Sequence, residues 1–221
     1  MATMYETIMN LPLFKGLSHE QISAFLEKTN IQFSRYSDQD TIASASENVT
    51  ELKCVISGTV KFIHKINASL TITEIEKTNI ILGADKLFGM DTKYGYEAVA
   101  VGPVSTMVFS KQQYQNLLNA KSIFLLNYLN FLSYRAQIRY DIFSNYPGDS
   151  LPSICSRLIK AYCSRASEEN TFMFDPKEFA IFCHKDTETL NREISHLAGE
   201  GILRAFAGGF TIIDKNLILD I

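Results

Sequence analysis

The stretch FDPKEFAIFCHKDTETLNREISHLAGEGIL, residues 174–203, decides the fold of the C-terminal part of the chain. It predicts two short helices with a very short turn between them. Asp175 followed by Pro176 is a typical helix start, because Asp caps the first turn and Pro suits the first helical position. Asp186 can cap the second helix, and Gly201 is placed to end it. The sequence therefore predicts a helix-turn-helix.

The second helix has one apolar and one polar face. The apolar residues recur at i, i+4 and i+7, which predicts a buried stripe: Leu190, Ile194 and Leu197. The stripe turns a polar set outward near the helix start: Thr187, Glu188, Asn191 and Arg192. Arg can bind guanine in bidentate fashion, and Glu can accept from the cytosine amino group. The alternative is a solvated face on which Glu188 and Arg192 only form an i, i+4 ion pair.

The flanking segments extend this arrangement. A helix is predicted over residues 151–167, and ILRAFAGGFTIID, residues 202–214, gives two short β runs around a Gly-Gly pair. Helix, helix, turn, helix and hairpin make a winged helix-turn-helix, which binds DNA with its second motif helix. A Pro/Gly/Ser/Asp cluster at 144–153 predicts a hinge. We therefore expect two domains, residues 1–147 and residues 148–221.

The first predicted domain is mostly β. Residues 10–30 predict a short helical start capped by Ser18. From 31 to 109, runs rich in Val, Ile, Thr and Tyr alternate with Gly, Asn, Asp and Ser, which is typical of an antiparallel β-roll, or jelly roll. The fold class is thus α+β.

A long helix is predicted after the roll, with its dimerisation segment at about 121–146. Apolar residues surround nearly its whole circumference, so it must be covered on both sides. One side can lie on its own roll, and a second copy of the chain is the economical cover for the other. The alternative is a core helix within one domain. The predicted dimer residues are Phe124, Leu125, Leu129 and Leu132.

Composition excludes several classes of protein. The 221 residues are 46% hydrophobic and 20% charged, as in a globular protein. No export signal or membrane-spanning run is seen, so we expect a cytoplasmic protein without a membrane partner. The cysteines form no CxxC pair, which predicts neither a disulfide framework nor a metal site. No catalytic motif such as GxSxG or HExxH occurs, so we expect no enzyme.

Charge sets a condition on any DNA binding. The formal net charge is −3, and residues 148–221 hold eight Lys or Arg against eleven Asp or Glu. Recognition must therefore depend on where individual cations lie, since a broad basic field is absent from the sequence.

The whole chain resembles the bacterial Crp/Fnr family of transcription regulators. LFKGLSHEQISAFL is similar to the family's helical lead, CVISGTVK to its β-roll signature, and DTETLNREISHLAGEGIL to its recognition helix. The resemblance implies a homodimer that binds a palindromic operator in double-stranded DNA, contacts RNA polymerase and senses an effector in the β-roll. The implied DNA-binding residues are Lys185, Thr187, Glu188, Thr189, Asn191 and Arg192.

The sensor half departs from the family pattern. Members that bind cyclic nucleotides carry FGE and a following Arg that holds the phosphate. Here the stretch is LFGMDTKYGYEAVAV, in which Met90 replaces the Glu, and no Arg follows up to Val108. A buried phosphate would then lack a guanidinium partner, which disfavours cyclic AMP. The predicted effector pocket, for an unidentified small molecule, comprises Phe88, Gly89, Met90, Tyr94 and Tyr96.

Two alternatives to this function stay open. No cofactor is expected, but a haem-based redox or gas sensor is one alternative, with axial ligands drawn from His64, Met90, Met107 or Cys54. The other is a ligand-binding dimer whose winged domain does not bind DNA, an interpretation that the acidic C-terminal half favours.

Overall fold

The structure is a computed structural model that describes residues 4–28, 31–77, 80–142, 148–163, 167 and 169–219. The chain divides into two compact units. The first comprises Met1–Lys61 and Lys77–Arg135, and the second comprises Phe62–Glu76 and Ala136–Ile221. Among the described residues, no helix is long and apolar enough to cross a membrane.

The strands are β1 (Gln32–Tyr36), β2 (Thr41–Ala43), β3 (Glu51–Lys65), β4 (Leu70–Glu76), β5 (Ile81–Leu82), β6 (Glu97–Ser110), β7 (Glu169–Phe174), β8 (Leu203–Phe206) and β9 (Gly209–Ile212). The helices are α1 (Met4–Asn10), α2 (His19–Lys28), α3 (Lys111–Ala120), α4 (Ser122–Ile142), α5 (Leu151–Tyr162), α6 (Pro176–Phe182), α7 (Thr187–Gly199) and α8 (Asn216–Leu219). A 3₁₀ turn, Pro12–Phe14, joins α1 to α2.

The first unit is an antiparallel β-roll with helices at its ends. β1 and β2 both pair with β6, and β5 pairs with β3. Ser18 begins α2 and Ser110 begins α3, each by accepting a hydrogen bond from the backbone three residues on. The α+β fold class and the β-roll are confirmed.

Helix α4 packs on the roll through one face. The Phe124 ring lies 6.0 Å from the rings of both Phe14 and Phe25, and the side chain is 3% exposed. Asn127, which interrupts the apolar run, donates a hydrogen bond to the Lys15 carbonyl at 2.8 Å. The Tyr128 hydroxyl donates to the Ala84 carbonyl at 3.0 Å, and burial raises its pKa to about 12.

The opposite face of α4 is exposed and apolar. Leu125, Leu126 and Leu129 are 43%, 53% and 48% exposed, and Leu132 is half-buried. The structure thus divides the predicted dimer residues. Leu125 and Leu129 lie on the exposed face and Leu132 is half-buried at its border, whereas Phe124 is a core residue of its own unit. Including Phe124 in an interface was wrong, because its ring fills the aromatic cluster below the helix.

The second unit combines a group of helices with the strands β4, β7, β9 and β8 and the end of β3, which neighbours β4. β4 pairs with β7 over six residues, β7 pairs with β9, and β9 pairs with β8, all antiparallel. A core of residues from α5, α6, α7 and these strands lies beneath the helices. Phe172 and Phe210, both fully buried, stack at 5.0 Å within it. Gly209 is required there, because a side chain would meet the Phe172 carbonyl at 2.2 Å.

The sequence missed some elements and merged others. It predicted β1–β4 and β6 closely, but not α1, β5 or β7. The helical stretch after residue 110 is two helices, broken at Lys121. The second unit also takes in Phe62–Glu76, since β4 pairs with β7, so it is larger than the expected 148–221. Part of the predicted hinge, residues 144–147, lies outside the described residues, and the boundary at 147/148 stays a prediction.

Candidate nucleic-acid interface

The α6–turn–α7 segment forms as the local sequence dictates. The Asp175 carboxylate accepts from the backbone N–H groups of Lys177 and Glu178 at 3.0 and 3.1 Å, which caps α6. The turn passes through His184 at φ 54°. Asp186 then caps α7 by accepting from the Thr189 N–H at 2.7 Å. Both predicted caps are confirmed.

Helix α7 presents the two faces that its sequence predicts. Leu190, Ile194 and Leu197 are buried in the core of the second unit. On the opposite side Glu188, Asn191 and Arg192 are exposed. The side chains of Glu188 and Arg192 are 87% and 72% exposed, and Arg192 Nη2 lies 3.4 Å from Glu188 Oε1.

This ion pair is the one that the alternative interpretation of α7 expects, and it has little energetic weight. Exposed pairs of this kind contribute about 0–1 kcal/mol. Arg192 can therefore exchange Glu188 for another hydrogen-bond acceptor at small cost.

The two threonines at the start of α7 differ from these residues. Thr187 and Thr189 are half-buried. The Thr189 hydroxyl donates to Asp186 Oδ2 at 2.8 Å, so it already completes the helix cap. These hydrogen bonds hold the pKa of the Asp186 carboxyl below its usual range. Thr189 has a structural task that the family pattern alone did not indicate.

Lys185 also has a structural partner. Its Nζ lies 2.6 Å from Glu193 Oε1, and the side chain is 10% exposed. The other carboxylate oxygen of Glu193 accepts from the Leu151 N–H at 2.9 Å, at the start of α5. Glu193 thus ties the turn to α5 through Lys185. Lys185, which the resemblance implies as a DNA-binding residue, is therefore largely buried in an ion pair rather than exposed.

A different cation, Arg204, is exposed on β8 in the hairpin that follows α7. Arg204 was not among the predicted DNA-binding residues. Its place in the predicted wing could have identified it, because a charged residue there lies outside the apolar pattern that marks the core. The hairpin turn itself is as predicted, with Gly208 at φ 77°.

The predicted effector residues do not form one group. Met90 is fully exposed, and Gly89 beside it takes φ 102°. The Phe88 ring packs against Tyr128 at 5.8 Å and lies under the Lys111 ammonium at 5.0 Å. The residue at the place of the family's Glu therefore points into solvent, and the half-buried Phe88 packs against α4.

Tyr94 is buried in the core, and Tyr96 beside it is half-buried. Their rings meet edge to face at 5.6 Å, and burial raises the pKa of both phenols. The Tyr96 oxygen accepts from the Gly83 N–H at 3.1 Å. A buried cation that the sequence analysis missed, Lys53, lies 5.9 Å from the Tyr94 ring and donates to the Ile42 carbonyl at 2.8 Å. A lysine inside a β run gives no sequence signal of burial.

The residues proposed as haem ligands are dispersed. His64 is in the second unit, 3.0 Å from Glu74, whereas Cys54 and Met107 are buried in the first. Burial raises the pKa of the Cys54 thiol, which opposes the thiolate that iron would need. Met90 is exposed. His64 and the pair Cys54 and Met107 therefore do not form a ligand set within a single unit.

Comparison with solved structures identifies the fold. No protein-family model matches the sequence, and no curated protein sequence matches it. The catabolite activator protein of Thermus thermophilus is similar in structure, with a TM-score of 0.54 and 20% identity over 94% of this chain and 96% of that one. A cyclic nucleotide-binding domain from Methylobacillus flagellatus matches 66% of this chain and 85% of its own, with a TM-score of 0.51 and 18% identity.

A third similar structure is the N-terminal domain of a transcriptional regulator from Streptomyces coelicolor, with a TM-score of 0.50 and 18% identity over 65% of this chain and 99% of that one. The two partial matches are both single domains, and the match to the catabolite activator protein extends over nearly the whole chain. This protein therefore has the fold of the Crp/Fnr regulators, the family that its sequence resembles.

Proposed function

We propose that the protein is a DNA-binding transcription regulator that acts as a homodimer on a palindromic operator. The observation that carries the proposal is the division of α7 into a buried apolar stripe and an exposed polar face within a helix-turn-helix. A recognition helix needs this division, because it must be fixed by the core while its N-terminal residues reach base edges.

The proposed readers are Glu188, Asn191 and Arg192. Arg192 would bind guanine in bidentate fashion through two guanidinium N–H groups, and Glu188 would accept from a cytosine amino group. Their ion pair would open on binding at a cost of about 0–1 kcal/mol. Arg204 on the wing would contact a phosphate, a task that Lys185 is poorly placed to perform.

The exposed face of α4 supports the dimer. A second copy would cover Leu125, Leu129 and Leu132, which recur at i, i+4 and i+7 and form a continuous apolar stripe. Two-fold symmetry would then bring two copies of α7 to half-sites about 34 Å apart. RNA polymerase and an effector remain further partners in this proposal, and the compartment is expected to be the cytoplasm.

Cyclic AMP is not the proposed effector. The place of the family's Glu is taken by an exposed Met90, and Tyr94 and Tyr96 occupy the interior that follows it. Lys53, the buried cation near these rings, lies 3.5 Å from Glu51 and donates to the Ile42 carbonyl, so it does not replace the family's Arg as a partner for a cyclic phosphate.

The test is operator selection from random DNA with the wild type and with Arg192→Ala. The substitution should relax the preference at one base pair in each half-site, worth about 1–3 kcal/mol of discrimination, and leave the fold intact. His196→Ala is the matched control, since His196 and Glu200 form another exposed i, i+4 pair at the far end of the same helix. An unchanged operator with Arg192→Ala would remove α7 as the reader.

A further inference from the structure

Three buried side chains with different ligand chemistry meet in the second unit: His64 from the end of β3, Glu74 from β4, and Cys163 at the end of α5. Their ligand atoms all lie within 4.8 Å of one another. Each residue is nearly inaccessible, with His64 at 7%, Glu74 at 3% and Cys163 at 5% exposure. Within the described part of the chain, these are the three His, Cys, Asp or Glu side chains that lie close enough together to hold one metal ion.

The elements that carry these side chains are held in place independently of them. β4 pairs with β7 along its length, and the turn before it closes when the Ile66 N–H donates to the Leu70 carbonyl at 2.9 Å. The Cys163 N–H donates to the Ile159 carbonyl at 2.8 Å and ends α5. Backbone structure thus fixes the three positions before any ligand is present.

The His64–Glu74 contact shows that two of the three already share a polar interaction. Nε2 of His64 lies 3.0 Å from Oε1 of Glu74. The ring of His64 stacks on Phe62 at 6.2 Å, which limits its rotation. An imidazole nitrogen, a carboxylate oxygen and a sulfur together are a donor set suited to zinc, which takes Cys, His and Glu ligands at about 2.0–2.3 Å in tetrahedral geometry.

We propose that His64, Glu74 and Cys163 form a binding site for a zinc ion. Tetrahedral ligands at those bond lengths are about 3–4 Å apart, so side-chain adjustments of about 1 Å would bring these three side chains onto three of the four positions, and a water molecule would take the fourth. The ion would displace the protons of the thiol and of the His–Glu contact, and it would join the β3–β4 hairpin to α5. Neither step involves DNA, so this inference stands apart from the proposed function.

The experiment uses the full chain, stripped of metal with a chelator and titrated with Co²⁺ and then Zn²⁺. The expected result is a thiolate-to-cobalt absorption band that saturates at one ion per chain and disappears when zinc is added. Zinc should also raise the melting temperature, since it binds the folded state. Absence of the band, or saturation at no defined stoichiometry, would overturn the proposal.

Variants identify the ligands. Cys163→Ser and Glu74→Gln should each weaken zinc binding at least about 100-fold, because outer partners of metal ligands alone are worth 10–100-fold. Cys183→Ala is the matched control, a buried thiol of the same unit outside the group, and it should retain the band. Glu74→Gln keeps the side-chain shape and tests the site should Cys163→Ser fail to fold. Unchanged affinity in a folded ligand variant would refute the assignment.

Discussion

Helix α7 and the segment 84–96 of the β-roll differ in how far they keep the pattern of the Crp/Fnr family. In α7, Glu188, Thr189, Arg192 and the terminating Gly201 match the family pattern, and the exposed and buried faces are clearly separated. In the roll segment, the position of the nucleotide-binding Glu holds Met90, which is exposed. Under the proposed function, DNA reading and effector choice would be subject to separate physical constraints, because the first needs one helix and the second a complete pocket.

The largest expected effect tests the inner face of α7. Leu190 is fully buried, so Leu190→Ala should lower the free energy of unfolding by about 2–5 kcal/mol through lost burial and a residual cavity. Asn191→Ala, the exposed neighbour, should change it by less than about 0.5 kcal/mol. Urea denaturation measures both. Similar losses for the two variants would mean that α7 does not have two distinct faces.

The next effect concerns helix α4, which in the proposed dimer brings two copies of the chain together. Leu129→Glu would bury a charge in the proposed interface at a cost of about 3 kcal/mol, and would weaken dimerisation on the order of 100-fold. Phe33→Glu is the control, because Phe33 is a 55% exposed apolar residue elsewhere in the same unit. Sedimentation equilibrium distinguishes them. A wild type that is monomeric at micromolar concentration would contradict the dimer.

The smallest effect concerns the cap of α7. Hydrogen bonds from Thr189 hold the pKa of Asp186 low, so the folded state favours the carboxylate. The resulting stability is full above the unfolded pKa of about 3.9 and is lost as pH falls through the lower folded pKa.

Asp186→Asn keeps a capping oxygen but has no proton to take up. Because it lacks the carboxylate charge, it should be less stable than the wild type at pH 7 and approach the wild type as pH falls below about 4, where Asp186 takes up a proton. Thermal unfolding followed by circular dichroism over this range measures the difference. Parallel losses in the two proteins would show that the Asp186 charge has no part in the cap.

The sequence could predict α6 and α7 because their signals are local. Asp175, Asp186 and Gly201 mark ends that need no distant partner. β7 could not be predicted in the same way, since ENTFMF becomes a strand through its pairing with β4 and β9. The sequence of a strand does not identify the distant strands with which it pairs.

The candidate sites show the same contrast between features with a local sequence signal and features that depend on distant contacts. The outward face of α7 follows from the period of its apolar stripe. The ion pair of Lys185 with Glu193 and the burial of Lys53 depend on how side chains meet in three dimensions. The group of His64, Glu74 and Cys163 escaped a search for spaced ligands because Cys163, at the end of α5, is far along the chain from the β3–β4 hairpin that carries the other two.

The most direct test of the account is a titration of the selected operator with the wild-type protein, followed by fluorescence anisotropy at several salt concentrations, with and without cyclic AMP. We predict binding tighter than to random DNA, an affinity that falls as salt rises, and identical curves in the two nucleotide conditions. Equal affinity for operator and random DNA would contradict α7 as a reader. Specific binding that appears only with cyclic AMP would contradict the proposal that cyclic AMP is not the effector.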